Sequence, residues 1–370
     1  MTVRAFHTRR VVASAAVLLL LGLVLAAGCG DDASDPTYPE TPQPPVGTWF
    51  LGIWGSGPND VWVVGQPGLI YHYDGTAWER QDSPTQQPLT CVWGDGEGNV
   101  YITGHHGVIL HNDGGGWNRM DSGTEVNLFD VDEYQGTVMA CGRDGVVLQL
   151  NGSNWAPAPD EVFIRDAEQA VIDTLYLRDD EDDDYIESYT SVMHYGIGGA
   201  NGAILMEDPE TDWQLRRIRG GREWVTCGTS TDRVAGNFIA TDYGRLFQLG
   251  QSEGRLVWGE KFSPALESIV YGLHVDQADT VWAVTNDGRV QRVDPPHASA
   301  VELYDDGMVL FDIWGTSGSN LYAVGIGGRV LHFHEINPGE YGWALEELPD
   351  LPESKSLGAP IFDKFGRPVP

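Results

Sequence analysis

The chain has 370 residues, and its 54 aspartates and glutamates outnumber its 22 lysines and arginines, so the formal net charge at pH 7 is −32. This charge argues against a nucleic-acid-binding protein, because such proteins present a basic surface to phosphate. Hydrophobic residues make up 41% of the chain, and this share excludes disorder throughout, because it supplies enough apolar surface to build a core.

Residues 1–28 are predicted to be an export signal. Three arginines precede an apolar run over 11–27, a combination that is typical of signal peptides. The run ends in Leu25-Ala26-Ala27-Gly28-Cys29. This ending resembles the lipobox of bacterial lipoproteins, although the usual leucine three residues before the cysteine is Ala26 here.

The lipobox resemblance implies that Cys29 carries the lipid (palmitate is a typical acyl chain) and becomes the first residue of the exported protein. The protein would then be anchored to the bacterial cell envelope, at the outer membrane, on its periplasmic or outer side, and only the lipid would contact the membrane. An ordinary signal peptide and a short membrane anchor are the alternatives. Residues 29–46 are rich in proline and aspartate and predict an extended linker.

Residues 47–348 contain a repeat. A glycine precedes a strand-like triplet seven times, at spacings of 39, 38, 57, 42, 44 and 40 residues; four of the triplets are apolar and the last three begin with arginine. These glycines are Gly68, Gly107, Gly145, Gly202, Gly244, Gly288 and Gly328. The side chain two positions later is always aliphatic, and a period of about 40 residues is typical of stacked repeat architectures.

Each repeat contains four short strand-like runs separated by turns. Asp74-Gly75 and Asn151-Gly152 lie between the third and fourth runs, where they supply the positive φ of a tight hairpin. Four antiparallel strands per repeat match the blade of a β-propeller. The sequence therefore predicts an all-β fold, a single seven-bladed β-propeller of four-stranded antiparallel blades over residues 47–348, followed by a proline-rich tail over 349–370.

The runs Ile53-Trp-Gly-Ser-Gly-Pro-Asn-Asp-Val-Trp-Val-Val-Gly65 and Ile313-Trp-Gly, with Leu321-Tyr-Ala-Val-Gly325, resemble the propeller repeats of secreted bacterial lipoproteins. Those repeats are grouped with the photosystem II assembly-factor and sialidase-type, or Asp-box, propellers. The match departs from a true Asp-box because the aspartate directly precedes the glycine, as in Asp74-Gly75. The resemblance therefore implies the fold more strongly than it implies a sialidase activity. How the ring closes is left open, since the tail over 357–365 is a candidate for a swapped strand.

An acidic insertion in the fourth repeat is a weak candidate for a Ca²⁺ site, since Ca²⁺ prefers several carboxylate oxygens. Its candidate ligands are Asp179, Asp180, Asp182 and Asp184. The insertion is expected to replace the loop between the first and second strands, and a solvated acidic loop is the simpler interpretation. Apart from this candidate ion, no cofactor is predicted.

The loops between the second and third strands are the predicted partner-binding surface, because irregular loops on a rigid scaffold concentrate binding residues. The candidate residues are His105, His106, Arg143, Asp144, Asn201, Phe238, Asp242, Tyr243 and Asp287. A simple role in the turns is the alternative for each of them.

The sequence also raises the questions of a zinc site among histidines and of a disulfide between cysteines. His72, His111 and His332 hold the same place in the third strand of three repeats, but adjacent sheets lie about 10 Å apart, too far for equivalent positions to share a zinc ion. A structural role is predicted for them, and no metal site. Cys91 and Cys141 belong to neighbouring repeats, where a disulfide and two buried thiols are both open alternatives.

The sequence favours a non-catalytic, monomeric binding or scaffold module for envelope proteins. A carbohydrate-binding propeller and a sialidase-like glycoside hydrolase or lyase are the alternatives. The hydrolase would need an arginine cluster, for which Arg245, Arg289 and Arg329 are the available residues, but their equivalent positions argue for repeat structure. The identity of the partner or glycan is not encoded in any motif.

Overall fold

The computed structural model describes residues 47–134, 136–158, 189–193, 196–199, 203–208, 212–217, 225–229, 236–252, 255–262, 268–293, 300–305 and 307–352. The export signal, Cys29, the linker to residue 46 and the tail beyond residue 352 lie outside these residues. Within them, no helix has the length and apolar character needed to cross a membrane.

The described residues form 28 strands in seven four-stranded antiparallel sheets, each made of four consecutive strands. Sheet 1 contains β1 (Trp49–Gly57), β2 (Asp60–Gln66), β3 (Leu69–Tyr73) and β4 (Trp78–Arg80). Sheet 2 contains β5 (Leu89–Gly94), β6 (Val100–Gly104), β7 (Ile109–Asn112) and β8 (Asn118–Met120). Sheet 3 contains β9 (Leu128–Tyr134), β10 (Thr137–Gly142), β11 (Val147–Asn151) and β12 (Asn154–Pro157).

The remaining strands follow the same plan. Sheet 4, of which only the backbone is described, contains β13 (Tyr189–Met193), β14 (Gly196–Gly199), β15 (Ala203–Asp208) and β16 (Asp212–Arg217). Sheet 5 contains β17 (Val225–Gly228), β18 (Phe238–Thr241), β19 (Leu246–Ser252) and β20 (Arg255–Phe262). Sheet 6 contains β21 (Val270–Val275), β22 (Val281–Thr285), β23 (Arg289–Val293) and β24 (Ala300–Asp305). Sheet 7 contains β25 (Leu310–Ser317), β26 (Asn320–Gly325), β27 (Arg329–Asn337) and β28 (Glu340–Leu345).

The first strands of successive sheets contact one another in chain order, and β25 of sheet 7 contacts β1 of sheet 1. The sheets are therefore the blades of a ring. This arrangement confirms the predicted all-β propeller with four-stranded antiparallel blades, and each sheet contains one of the sequence repeats.

The repeated glycine is explained by its backbone. Gly68 and Gly107 have φ values of 57° and 63°, in the left-handed region that L side chains rarely adopt. A Cβ atom at Gly107 would also collide with the carbonyl oxygen of Thr124 in the connection to the next sheet. The glycine thus begins the third strand and lets the next connection pass close to its backbone.

Aromatic residues join neighbouring sheets by a repeated contact. Trp78 of sheet 1 packs edge-on against Tyr322 of sheet 7, with ring centroids 6.2 Å apart, and Tyr322 stacks on His332 at 3.9 Å. The same three-ring arrangement recurs between sheets 1 and 2 with Trp117, Trp62 and His72, and between sheets 2 and 3 with Trp155, Tyr101 and His111.

The three strand-3 histidines are structural in this arrangement. His72 Nε2 bonds Asp60 Oδ1 at 2.7 Å, and the hydrogen bond from this histidine lowers the pKa of Asp60. Asn99 and Asn320 hold His111 and His332 through equivalent bonds of 3.1 and 2.7 Å. Each ring thus has a hydrogen-bond partner in its own sheet, and His332 also bonds Glu346 Oε1, beyond β28, at 2.9 Å. Among the residues that the structure describes, no group of histidine, cysteine, aspartate or glutamate side chains has the arrangement of a metal site.

The axis of the ring is filled by the first strands. In every sheet the first strand has a bulged residue near its beginning, opposite the end of the second strand, and a bulge turns its side chain away from the regular ladder. In the six sheets with described side chains, these residues are at most 3% exposed: Leu51, Thr90, Phe129, Thr226, Tyr271 and Phe311. Leu51 of sheet 1 and Tyr271 of sheet 6 belong to one apolar cluster with Phe311 of the intervening sheet 7.

Among the described residues, sheets 7 and 1 meet without a strand exchanged between them, and the candidate strand over 357–365 lies outside these residues. Asp312 Oδ2 accepts a 3.0 Å hydrogen bond from the Ile53 backbone. Past β28, the chain crosses to sheet 1, where the Tyr71 hydroxyl donates to the Pro349 carbonyl at 3.0 Å and the Thr48 hydroxyl donates to the Pro352 carbonyl at 2.9 Å. Residues 346–352 therefore belong to the closure of the propeller, four residues beyond the predicted end at 348.

The strand order corrects the predicted place of the acidic insertion. The acidic insertion lies between β12 and β13, so it connects the fourth strand of sheet 3 to the first strand of sheet 4. The prediction that it replaces a loop between first and second strands is wrong, because β13 begins at Tyr189, after the insertion.

The two cysteines of neighbouring repeats are not bonded to each other. Cys91 and Cys141 are both thiols and form no disulfide. Cys141 is buried in sheet 3, whereas Cys91 is half-buried.

Candidate functional site

A cleft of about 880 Å³ opens beside the outer strand of sheet 2, on the side of the ring that carries the loops between second and third strands. We call this cleft the groove and this side the groove face. The groove is lined by Gln87, His106, Gly107, Arg119, Met120, Asp121, Ser122, Gly123, Thr124 and Glu125. Gln87 comes from the connection between sheets 1 and 2, and 121–125 from the connection between sheets 2 and 3.

Hydrogen bonds within the loops hold the groove in shape. The buried Ser122 hydroxyl donates to the Gly107 carbonyl at 2.7 Å, and the Gly107 amide donates to the Val126 carbonyl at 2.7 Å. The amide of His106, whose φ is 54°, donates to Asn127 Oδ1 at 3.2 Å. The rim is therefore built by backbone bonds, and the side chains of His106 and Glu125 remain exposed.

The groove carries charges of both signs. Arg119 and His106 contribute basic groups, whereas Asp121 and Glu125 contribute carboxylates, and all four side chains are exposed. Met120 adds a half-buried apolar surface. A lining of this kind can pair with both the backbone and the side chains of a peptide, because it offers hydrogen-bond donors, acceptors and apolar contact within one cleft.

The predicted site residues divide into several groups in the structure. His106 lines the groove, and its neighbour His105 is half-buried, with its amide bonded to the Pro88 carbonyl at 2.9 Å. Arg143 lies on the same face, near His106. The Arg143 amide donates to the Asn127 carbonyl, and the Asn127 side chain accepts a hydrogen bond from the His106 amide. Asp144 is exposed beside Arg143, with 3.7 Å between Oδ1 and Nε.

Sheet 5 corrects one of these candidates. Phe238 was expected in a loop, but it lies inside β18, is 1% exposed and packs in a core cluster with Leu246 and Val270. The predicted loop was drawn too long, because four of its residues form the second strand. Asp242 and Tyr243 do lie in the turn that follows, and Tyr243 is 68% exposed.

The Asp287 carboxylate is held by contacts within sheet 6 and its preceding connection. Its Oδ2 accepts a 2.7 Å hydrogen bond from the Ser268 hydroxyl and lies 3.2 Å from Arg289 Nε, while its Oδ1 accepts a 2.6 Å bond from the Thr285 hydroxyl. Burial opposes the charged form, but these bonds and the guanidinium outweigh burial and lower the pKa of Asp287. This carboxylate joins the turn of sheet 6 to the preceding connection.

Asn201 and the candidate Ca²⁺ ligands Asp179, Asp180, Asp182 and Asp184 lie outside the described residues, so their roles stay predictions. The same holds for the lipid on Cys29.

The three equivalent arginines are engaged locally. The Arg245 guanidinium lies 4.9 Å from the centre of the Phe247 ring, Arg289 pairs with Asp287, and Arg329 donates to the Tyr304 hydroxyl at 3.1 Å. These contacts fit the interpretation that the arginines belong to the repeat.

The opposite side of the ring is acidic. Its described turns carry carboxylates but neither lysine nor arginine. These carboxylates cap the turns: Asp74 Oδ1 accepts from the amides of Thr76 and Ala77, and Asp276 Oδ1 accepts from those of Ala278 and Thr280. Since their lone pairs serve local turns, this side offers a weaker case for a partner site than the groove face.

The sequence reasoning identified His106 but missed Arg119, Asp121 and Glu125. It considered only the loops between second and third strands, although connections between sheets emerge on the same side of a propeller. That rule of topology would have been enough to include residues 121–127 among the candidate site residues.

The closed ring of four-stranded antiparallel sheets defines the chain as a β-propeller. No protein-family model matches it, and a comparison with curated proteins gives no match. Among solved structures, YCF48 from Cyanidioschyzon merolae, a photosystem II assembly factor, is similar with a TM-score of 0.58 at 18% identity, over 80% of this chain and 98% of that one.

Two further structures share the fold. YCF48 bound to D1 peptide has a TM-score of 0.56 at 14% identity, over 78% of this chain and 94% of that one. Virginiamycin B lyase from Staphylococcus aureus has a TM-score of 0.55 at 11% identity, over 76% and 94%. The predicted resemblance to assembly-factor propellers is confirmed, and at these identities it concerns the fold alone.

Proposed function

We propose that the chain is a seven-bladed, non-catalytic propeller that binds an extended segment of an envelope protein in the groove beside sheet 2. The groove is the observation that carries this proposal. Its volume of about 880 Å³ suits a ligand of peptide size. Its lining combines exposed charges with a methionine side chain.

The filled axis supports a binding module over a hydrolase. An axial active site on the groove face would need open space among the first strands, but the six described bulged residues, two of which are threonines, are at most 3% exposed. Arg289 and Arg329 are held by Asp287 and Tyr304. A substrate carboxylate would therefore compete with contacts that already exist.

The similarity to YCF48 bound to D1 peptide supports a peptide as the ligand class, since it places a peptide on a propeller of the same fold. Rigid loops bind at a low entropic cost, because the backbone bonds around Ser122 and Gly107 already fix their geometry.

We further propose that Cys29 carries a lipid that holds the propeller at the cell envelope, with residues 29–46 as the linker. Replacing Cys29 by serine should move the protein from the membrane fraction to the soluble fraction. Cys91→Ser is the matched control and should leave the protein in membranes. A Cys29→Ser protein that stays in membranes would exclude the lipid anchor without affecting the groove proposal.

Site-specific photo-crosslinking in cells tests the groove. A photoreactive amino acid at Arg119 or Glu125 should trap one recurrent envelope protein, whereas the same group at Glu97, in an acidic turn of the same sheet on the opposite side, should not. Equal crosslinking from both sides of the ring, or none from the groove, would contradict the proposal. A glycan array with the purified protein would then test the carbohydrate-binding alternative.

A further inference from the structure

The outer hairpin of sheet 7 exposes a concentration of apolar side chains. Four large hydrophobic residues are exposed among the described side chains, and three of them lie on β27 and β28: Ile336 at 46%, Tyr341 at 49% and Leu345 at 61%. Single exposed hydrophobic residues are ordinary, but Tyr341 and Leu345 lie on one face of the same strand, because side chains alternate along it. This hairpin lies outside the groove and plays no part in the function proposed above.

β28 is the outermost strand of its sheet, and the register shows which of its backbone groups are unpaired within the sheet. Glu346 donates its amide to the Val330 carbonyl at 2.8 Å, so 346 and 330 are a hydrogen-bonded pair. Such pairs alternate along an antiparallel ladder. Tyr341, Trp343 and Leu345 therefore direct their amide and carbonyl groups away from β27, toward the open edge.

The same three residues also share one face of the strand, because side chains alternate with a period of two. Phe333 of β27 extends this face, with its ring centre 5.3 Å from that of Trp343 and 6.1 Å from that of Tyr341. Phe333 and Trp343 also pack against the core between sheets 6 and 7, so an added strand would gain backbone hydrogen bonds at these residues and apolar contact with the exposed Tyr341 and Leu345.

The edge lacks the features that protect outer strands. β4 and β8 have only three residues each and expose polar side chains, and short polar edges prevent pairing with other chains. β28 has six residues and carries neither proline nor lysine. Its length and apolar face make it a template for a further strand.

Charge identifies the occupant. Residues 330–352 contain Glu335, Glu340, Glu346, Glu347 and Asp350 but neither lysine nor arginine. Glu335, Glu340 and Glu346 also accept local hydrogen bonds. A second copy of this chain would bring a net charge of −32 to the edge, whereas a basic segment would be attracted. We propose that β28 pairs with an extended segment of a partner protein in which apolar and basic residues alternate.

Fluorescence anisotropy with the full-length chain tests this proposal at 150 mM salt. The probe is a fluorescein-labelled peptide, Lys-Val-Lys-Val-Lys-Val-Lys. We expect it to bind at least tenfold more tightly than Val-Val-Val-Lys-Lys-Lys-Lys, which has the same composition without alternation, and than Glu-Val-Glu-Val-Glu-Val-Glu. Equal affinity for the alternating and blocked lysine peptides would overturn the proposal, because binding would then follow charge alone.

A pair of variants locates the site. Tyr341→Lys/Leu345→Lys should weaken binding of the alternating peptide at least tenfold, whereas Thr76→Lys/Ser153→Lys, which adds the same charge at exposed turns of other sheets, should change it less than twofold. Equal losses in both variants would overturn the assignment to β28. Melting temperatures within about 2 °C of the parent chain would show that both variants are folded.

Two other occupants of the β28 edge, a second copy of the chain and a lipid surface, would give different experimental results. Size-exclusion chromatography that shows a dimer dissociated by Tyr341→Lys/Leu345→Lys would replace the proposed partner with a second copy. Binding to phosphatidylcholine vesicles by a Cys29→Ser chain, lost in the same double variant, would replace it with a lipid surface. A monomer that binds the peptide but not the vesicles supports the proposal.

Discussion

His274 occupies a position that sheets 1, 2 and 7 fill with tryptophan. Trp54, Trp93 and Trp314 have the equivalent register in their first strands. In sheet 6 the smaller imidazole bonds the backbone of Gly315 in sheet 7, and no described atom partners its solvent-inaccessible Nε2. Burial is the main cause that lowers the pKa of His274 to about 4, although nearby Asp276 opposes the shift.

This depressed pKa makes stability depend on pH. The pKa of a histidine in the unfolded chain is about 6.5, so between pH 6.5 and 4 the unfolded chain binds more protons than the folded one. Stability contributed by the neutral imidazole is therefore present above pH 6.5 and is lost as the pH falls toward 4. Between pH 7 and pH 5 the loss is about 2 kcal/mol from this site, which lowers the melting temperature of a domain of this size by about 3 °C.

The assay is thermal unfolding of the parent chain and His274→Gln at pH 7 and pH 5. Glutamine keeps a donor for Gly315 but does not titrate, so the drop in melting temperature on acidification should be about 3 °C smaller in this variant. His106→Gln, at an exposed histidine of the groove, is the matched control and should keep the parent drop. If His274→Gln and the parent lose the same amount, the imidazole is not protonated on unfolding and the reasoning fails.

Three further predictions concern the closure and the thiols. Trp78→Ala removes a buried indole at the joint between sheets 7 and 1 and should cost about 3–5 kcal/mol, lowering the melting temperature by about 5–8 °C; a Trp78→Phe variant that loses as much would show that ring packing is not the cause. Asp312→Ala leaves the Ile53 amide without its acceptor and should cost about 1–3 kcal/mol in denaturant unfolding, whereas an unchanged midpoint would mean that this bond does not stabilise the closure. Because Cys91 and Cys141 are thiols, a reductant should leave the melting temperature unchanged, and a drop of several degrees would reveal a disulfide.

The repeat determined the secondary structure and the general architecture. In the sheets where the repeated glycine is described, it precedes the third strand with a positive φ, and at Gly68, Gly107 and Gly288 the next connection passes against its backbone. The Asp-Gly and Asn-Gly turns specify the hairpins. These are local constraints, so they can be read from neighbouring residues. The structural role of His72, His111 and His332 was also within reach, since the spacing of sheets excludes a shared ion.

The limits of strands were harder to predict. Phe238 lies beside turn-forming residues, and only its pairing with Gln248 of β19 places it inside a strand. The acidic insertion was assigned to the wrong connection for the same reason. An apolar run can be recognised locally, but whether it is the fourth strand of one sheet or the first of the next depends on its partner.

The groove and the closure were decided by tertiary structure alone. Arg119, Glu125 and His106 lie on different segments of the chain, and they share a cleft only because connections between sheets and loops within sheets emerge on the same side of the ring. Residues 346–352 show no strand pattern, yet they lie across sheet 1 because closing a ring brings its last sheet against its first. The sequence thus determined the repeated unit through short-range sterics and polarity, while the ring geometry determined which surfaces of that unit meet and which remain open to a partner.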